Sequence, residues 1–166
     1  MKSRGKVQSW DRLVQIRENL RLKSQKMVFT NGCFDILHRG HIHLFRQAKR
    51  LGDVLTVAVN DDDSIRRLKG SGRPVFPLRE RLEVLSAVED IDYLASFSQD
   101  TPKELIDKIK PDVLVKGGDW QPDQIVGQES VESSGGKVVA IPYLPGRSTT
   151  EIIEKIQNIK KARDRK

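Results

Sequence analysis

Short unbroken apolar runs alternate along this chain with longer stretches in which apolar residues recur every three or four positions. Met27-Val28-Phe29-Thr30 is the first such run, and it ends in Asn31-Gly32, which predicts a buried strand meeting a turn. Val54 to Val59, Ile91 to Ala95, Asp112 to Lys116 and Val138 to Ile141 predict four more strands. Between them lie helical patterns. Ser9 to Lys23 carries Trp10, Leu13, Val14, Ile16, Leu20 and Leu22, with Ser9 placed to cap it. Gly40 to Leu51 repeats the pattern through Ile42, Leu44, Phe45 and Ala48, with Gly52 as its stop. Leu78 to Val88 reads as a further helix. Thr101-Pro102-Lys103-Glu104 offers a cap, a proline at the first helical position and an acidic first turn for a helix to about Lys110. Glu129 to Ser134 predicts a short helix before Gly135-Gly136, and Ser148 caps a last one through Ile152, Ile153 and Ile156.

Strands alternating with helices predict an α/β fold: a Rossmann-like parallel sheet of about five strands with helices on both faces. The strands lack polar alternation, as expected when both sides of a sheet are covered. In such sheets ligands bind beyond the carboxyl ends of the strands, where the strand order reverses. The polar and glycine-rich segments collect at those ends: Asn31-Gly32, Asn60-Asp61-Asp62, Lys116-Gly117-Gly118-Asp119 and Gly146-Arg147-Ser148. Gly70-Ser71-Gly72-Arg73-Pro74 reads as flexible or turned, and Lys69 is expected in this glycine-flanked loop.

Composition narrows the class. The chain has 166 residues, 37% of them hydrophobic and 32% charged, which fits one folded domain with a real core. One cysteine permits no internal disulfide. No signal-peptide pattern or membrane-length apolar run is present, so a cytoplasmic protein with no membrane partner is expected. The net charge is +7, with much of the excess in Lys2, Arg4 and Lys6 and in Lys160, Lys161, Arg163, Arg165 and Lys166. Such charge suits nucleic acid or small phosphorylated ligands, though terminal charge runs are ordinarily solvated.

The strongest chemical feature is His38-Arg39-Gly40-His41, set where a strand-end turn meets a helix start. Backbone N–H groups there form an anion site. Histidines three apart can point the same way, and a glycine between them allows close approach of a phosphate. Imidazoles so placed donate hydrogen bonds to phosphate oxygens as charge builds. Zinc coordination by Asp35, His38 and His41 lacks a cysteine cluster or distant histidine pair to complete it. Cys33 has no base paired with it and reads as a small buried residue; Arg81 reads as structural or phosphate-facing.

A His-x-Gly-His motif after the first strand, paired with Ser148-Thr149-Thr150 opening the last helix, resembles the cytidylyltransferase-like family of nucleotidyltransferases. The resemblance runs from about Met27 to Ile156. Phe29 to His41, Val57 to Asp62, Arg66 to Gly70, Arg73-Pro74-Val75, Asp112 to Asp119 and Gly146 to Ile153 resemble the branch that makes ADP-heptose. The resemblance implies transfer of AMP from ATP to D-glycero-β-D-manno-heptose 1-phosphate, with pyrophosphate released and no covalent enzyme intermediate. It implies His38, His41 and Lys69 as catalytic residues. Thr30, Asn31, Gly32, Phe34, Gly40, Lys116, Gly117, Asp119, Arg147, Ser148 and Thr149 are expected to bind the nucleotide, and Asp35, Asn60 and Asp61 to meet the substrate. Mg²⁺ is expected on the ATP phosphates, with no metal site made by protein side chains alone. The resemblance also allows a homodimer. The organisation it implies is an N-terminal helical extension over 1–26, a nucleotidyltransferase domain over 27–157 and a basic tail over 158–166.

Two other readings stay open. A cytidylyltransferase acting on glycerol 3-phosphate or another small phosphate shares the motifs. Cytidine-specific relatives, however, carry Arg-Tyr-Val-Asp-Glu where this chain has Glu89-Asp90-Ile91-Asp92-Tyr93. A basic nucleic-acid-binding module would account for the charge, but no aromatic-rich basic strand is present to stack bases.

Overall fold

The computed structural model describes residues 5–118, 120, 124–142, 144 and 149–163, with side chains described no further than Ile159. Among these residues the elements run α1 (Trp10–Leu22), β1 (Met27–Gly32), α2 (Arg39–Lys49), β2 (Val54–Asn60), α3 (Asp62–Lys69), α4 (Leu78–Ser86), β3 (Tyr93–Phe97), α5 (Lys103–Ile109), β4 (Val113–Gly117), α6 (Gln128–Ser133), β5 (Lys137–Ile141) and α7 (Thr149–Arg163). The strands form one parallel sheet in the order β3-β2-β1-β4-β5. The chain therefore steps outward from β1 to β3, then returns to the far side of β1. The order reverses between β1 and β4, and the crevice above their carboxyl ends is the expected ligand position.

Alternate residues of β1 face opposite layers. Met27 and Phe29 pack with Leu13, Ile16 and Leu20 of α1 and with Leu105, Ile106 and Ile109 of α5. Val28 packs with Leu44, Phe45 and Ala48 of α2 and with Leu85 of α4. Helices thus cover both faces, as the continuous apolar strands require. Each fully buried Leu or Phe contributes about 1.5–3 kcal/mol of transfer free energy, so these two layers carry most of the stability.

The lower end of the sheet is tied by charge. Arg17 of α1 is buried and donates to Asp112 at 2.7 Å and to the Lys110 carbonyl at 3.1 Å. The second Asp112 oxygen accepts the Met27 amide at 2.7 Å. One carboxylate therefore joins α1 to the starts of β1 and β4. At the β3 edge, Leu94 and residues 6–8 exchange backbone hydrogen bonds, and Val7 bridges Leu94. That pairing covers an otherwise open strand edge.

Several expected boundaries moved. Residues 62–69 form a helix where no helix was expected, capped by the Asp61 side chain on the Ser64 amide. Lys69 is accordingly the last residue of a helix and not part of a loop. β3 begins at Tyr93, because the Asp92 carboxylate accepts the Leu55 amide and regular pairing starts only at Thr56↔Tyr93. α5 begins at Lys103, leaving Pro102 in the capping position. Gly52 is not the stop of α2, whose cap is Arg50. A Cβ on Gly52 would fall 2.9 Å from the Lys26 carbonyl and 2.8 Å from Val28, so close chain approach is what demands glycine there.

Candidate active site

The site begins where β1 ends. Phe34 has φ +44, in the left-handed region, and this swings its ring back across Gly32. A Cβ on Gly32 would come within 3.0 Å of that ring. The same ring meets His41 edge-on, with centroids 5.3 Å apart, and touches Phe45 at 5.1 Å. The strand end, a core phenylalanine and one histidine are thereby locked together. Arg81, fully buried, holds the turn by donating to the carbonyls of Cys33 and Phe76 and to the Asp62 carboxylate. It is structural.

His38 caps α2, its Nδ1 accepting the Gly40 amide at 3.1 Å. Its ring stacks on His41 with centroids 3.8 Å apart and planes 25° apart. The acceptor role of Nδ1 puts the proton of neutral His38 on Nε2. His41 has its pKa pushed down to about 3, chiefly by burial and further by the nearby charges of His38 and Lys69. It is neutral at physiological pH. Its Nδ1 is sealed from solvent with no partner among the described residues. A proton there would bury an unpaired N–H, so the proton belongs on Nε2. Both imidazoles, when neutral, thus carry their proton on Nε2.

His41 lines a cavity of ≈ 490 Å³ at the carboxyl ends of the strands. Asn31, Gly32, Phe34 and Asp35 line it from the β1 end, Asn60 from β2 and Lys69 from α3. Lys116, Gly117 and Thr149 line it from β4 and α7. Burial lowers the pKa of the Lys116 ammonium, which makes a long contact of 3.4 Å to the Asn31 amide oxygen. A desolvated cation over open space suits an anionic ligand. Thr149 opens α7 and points its hydroxyl at the Ile36 carbonyl, 3.5 Å away.

Several expected residues are buried or already engaged. Thr30 is fully buried within β1, its hydroxyl without a partner among the described residues. The Gly40 amide is spent on the His38 cap, and Asp61 on the cap of α3. Asn60 is buried and donates to Ser64. Asp35 is buried with its oxygens engaged by Arg73, Val75 and Phe76. Cys33 is half-buried rather than buried. Asp119, Arg147 and Ser148 lie outside the described residues.

The cavity also has walls that sequence reasoning missed. Arg73 lines it, as do Trp120, Gln124 to Val126, and Asp100 to Pro102 from the β3 end. Trp120 is 42% exposed and donates to the Gly117 carbonyl at 3.2 Å. An exposed tryptophan next to a glycine-rich strand end was the one available signal. Among the described residues no group of three His, Cys, Asp or Glu side chains could hold a metal ion. Nor is any described helix long and apolar enough to cross a membrane.

A reversed parallel sheet with a histidine pair and lysines at its switch point defines a nucleotide-binding α/β enzyme. Residues 29–155 match the cytidylyltransferase-like family, and the chain belongs to that family of nucleotidyltransferases. Among its relatives, the bifunctional protein HldE of Alcanivorax borkumensis is 50% identical over 93% of this chain and 32% of its own length. The HldE protein of Coxiella burnetii is 52% identical over 83% of this chain and 29% of its own length. The chain thus spans about a third of these relatives. The lipopolysaccharide core biosynthesis protein of Thermoplasma volcanium has a similar structure, with a TM-score of 0.59 and 30% identity. That match covers 72% of this chain and 97% of that one. Pantoate-beta-alanine ligase of Francisella tularensis, at 18% identity and a TM-score of 0.60, covers 86% of this chain and 68% of its own and shares the fold.

Proposed function

We propose that this chain transfers AMP from ATP to D-glycero-β-D-manno-heptose 1-phosphate, giving ADP-heptose and pyrophosphate. The observation that carries the transfer chemistry is the stacked His38–His41 pair beside a cavity bearing Lys69 and Lys116. The acceptor is chosen by the motif runs that resemble the ADP-heptose branch. The identity to HldE proteins and the likeness to a lipopolysaccharide core biosynthesis protein support it.

The acceptor's phosphate oxygen is already an anionic nucleophile and needs no base. It attacks the α-phosphorus of ATP; the new O–P bond forms as the bond to the bridging oxygen of pyrophosphate breaks. The difficulty is charge, both between the reactants and on the α-phosphate oxygens. The two Nε2–H donors stabilise those oxygens, and Lys69 offsets the repulsion. Thr149, at the start of α7, is assigned with Ser148 and Arg147 to the β- and γ-phosphates. Lys116, Gly117 and Asp119 meet the base or ribose. Mg²⁺ enters as part of the ATP substrate, held by phosphate oxygens. We assign residues 27–157 to the catalytic unit, with 1–26 as an extension that carries α1 and 158–166 as a basic segment that includes the end of α7.

Pyrophosphate release, measured for ATP and CTP against heptose 1-phosphate and glycerol 3-phosphate, tests the reading. Turnover is expected for ATP with heptose 1-phosphate. A preference for CTP with glycerol 3-phosphate overturns it.

A further inference from the structure

Asp35 and Arg73 form a pair on the cavity wall that the chemistry above does not use. The Arg73 Nε donates to Asp35 Oδ2 at 2.7 Å, and the two side chains are only 13% and 1% exposed. The amides of Val75 and Phe76 donate to the same carboxylate at 2.9 Å. Burial alone would raise the pKa of this carboxyl. The two amides and the Arg73 guanidinium more than offset that and hold it below the usual range. A carboxylate so engaged has little capacity left for a substrate hydroxyl. What it does instead is fix a guanidinium.

Arg73 spends one nitrogen on that bond. Its two terminal nitrogens have no partner among the described residues and are not sealed off, and Arg73 lines the cavity. A desolvated, oriented guanidinium fork is matched to the paired oxygens of a phosphate.

The topology says which phosphate. Lys116 comes from β4, on one side of β1, whereas Asn60, Lys69 and Arg73 follow β2 on the other; Thr149 opens α7 against the Ile36 carbonyl, between β1 and α2. His41 stands between, at the start of the helix that follows β1. In phosphoryl transfer the attacking and leaving oxygens lie roughly in line across the phosphorus. With the β- and γ-phosphates at Thr149 and the base or ribose at Lys116, as proposed above, the wall that follows β2 is left for the nucleophile, and Arg73 stands on it.

We propose that Arg73 binds the phosphate of the acceptor, and that Asp35 is a positioning residue acting through Arg73. This rests on the adenylyl-transfer reading above. The test compares Arg73→Gln, Arg73→Lys and Asp35→Asn with wild type in steady-state kinetics, together with titration by a non-hydrolysable ATP analogue. Loss of a charge-assisted contact made only to the acceptor should raise the KM for heptose 1-phosphate about tenfold or more in Arg73→Gln, with the KM for ATP and analogue affinity within about twofold of wild type. Arg73→Lys keeps the charge but not the fork, so a smaller rise is expected; Asp35→Asn should shift the same KM in the same direction. A rise in the KM for ATP instead, or no change in either, overturns the assignment. Asp35 also anchors the loop amides, so a variant that fails to fold is set aside on its thermal melt and Arg73→Lys decides. If wild type turns over no sugar 1-phosphate, the function reading falls by itself. Inorganic phosphate is then titrated into wild type and Arg73→Gln saturated with the ATP analogue. Weaker phosphate binding in the variant upholds the Arg73 site, and equal binding overturns it.

Discussion

At His41 the surroundings remove the property for which histidine is usually chosen. Burial, reinforced by the neighbouring His38 and Lys69, holds its pKa down to about 3, so it does not change charge across the neutral range. Its use is therefore as a fixed donor. Two expectations follow at this scale. Removing one of the two donors in His38→Ala should lower kcat by about 10²–10³-fold, the usual cost of losing a transition-state hydrogen bond, with the ATP analogue still bound. A kcat within a few-fold of wild type would end its catalytic assignment. The second concerns pH. The acceptor's phosphate has a second pKa of about 6 and should give one acid limb in the rate profile, at the same position in wild type and in His41→Gln. A limb that disappears in His41→Gln would show that this imidazole titrates. The histidine pair was legible in the sequence because three-residue spacing on a helix is a local property. The task of Asp35 was not, because its partner Arg73 lies 38 residues on and only the folded loop brings them together.

The elements were legible in proportion to how long their apolar pattern is. α1 and α2 repeat theirs over three turns and were expected where they occur. α3 spans eight residues, with Ile65 its one buried apolar side chain and Leu68 half exposed, too few to set a period. What makes it a helix is its start: Asp61 caps the Ser64 amide at 2.7 Å, and Asp62 and Asp63 fill the positive first turn. The consequence reaches the site, because Lys69 is the last residue of this helix and lines the cavity. Asp61 itself does not line it. Asp61→Ala should cost about 1 kcal/mol in urea unfolding, the usual value of an N-cap, and should also lower kcat/KM through Lys69. Stability loss with unchanged kcat/KM would uncouple α3 from catalysis.

For the whole molecule, alternation announced the sheet, but neither strand order nor the Arg17–Asp112 tie beneath it could be read, since both are contacts between distant segments. The same long-range burial sets how the fold answers acid. The pKa of His41 is about 3 in the folded protein against an ordinary 6.5, so the folded state refuses a proton that the unfolded chain accepts. Stability present above pH 6.5 is therefore lost progressively as pH falls from 6.5 toward 3. Linkage puts the His41 share at roughly 2–3 kcal/mol at most by pH 4.5. Asp35, also depressed, adds its loss only lower, below the ordinary carboxyl range and through its folded pKa. Thermal melts from pH 7.5 to 4.5 should fall more steeply in wild type than in His41→Gln, which has nothing to protonate there. ATP should flatten the wild-type slope, because a polyanion beside the pair favours the imidazolium and relieves the penalty that burial imposes. Parallel slopes for wild type and His41→Gln would mean that the acid sensitivity of the fold lies elsewhere than in its histidine pair.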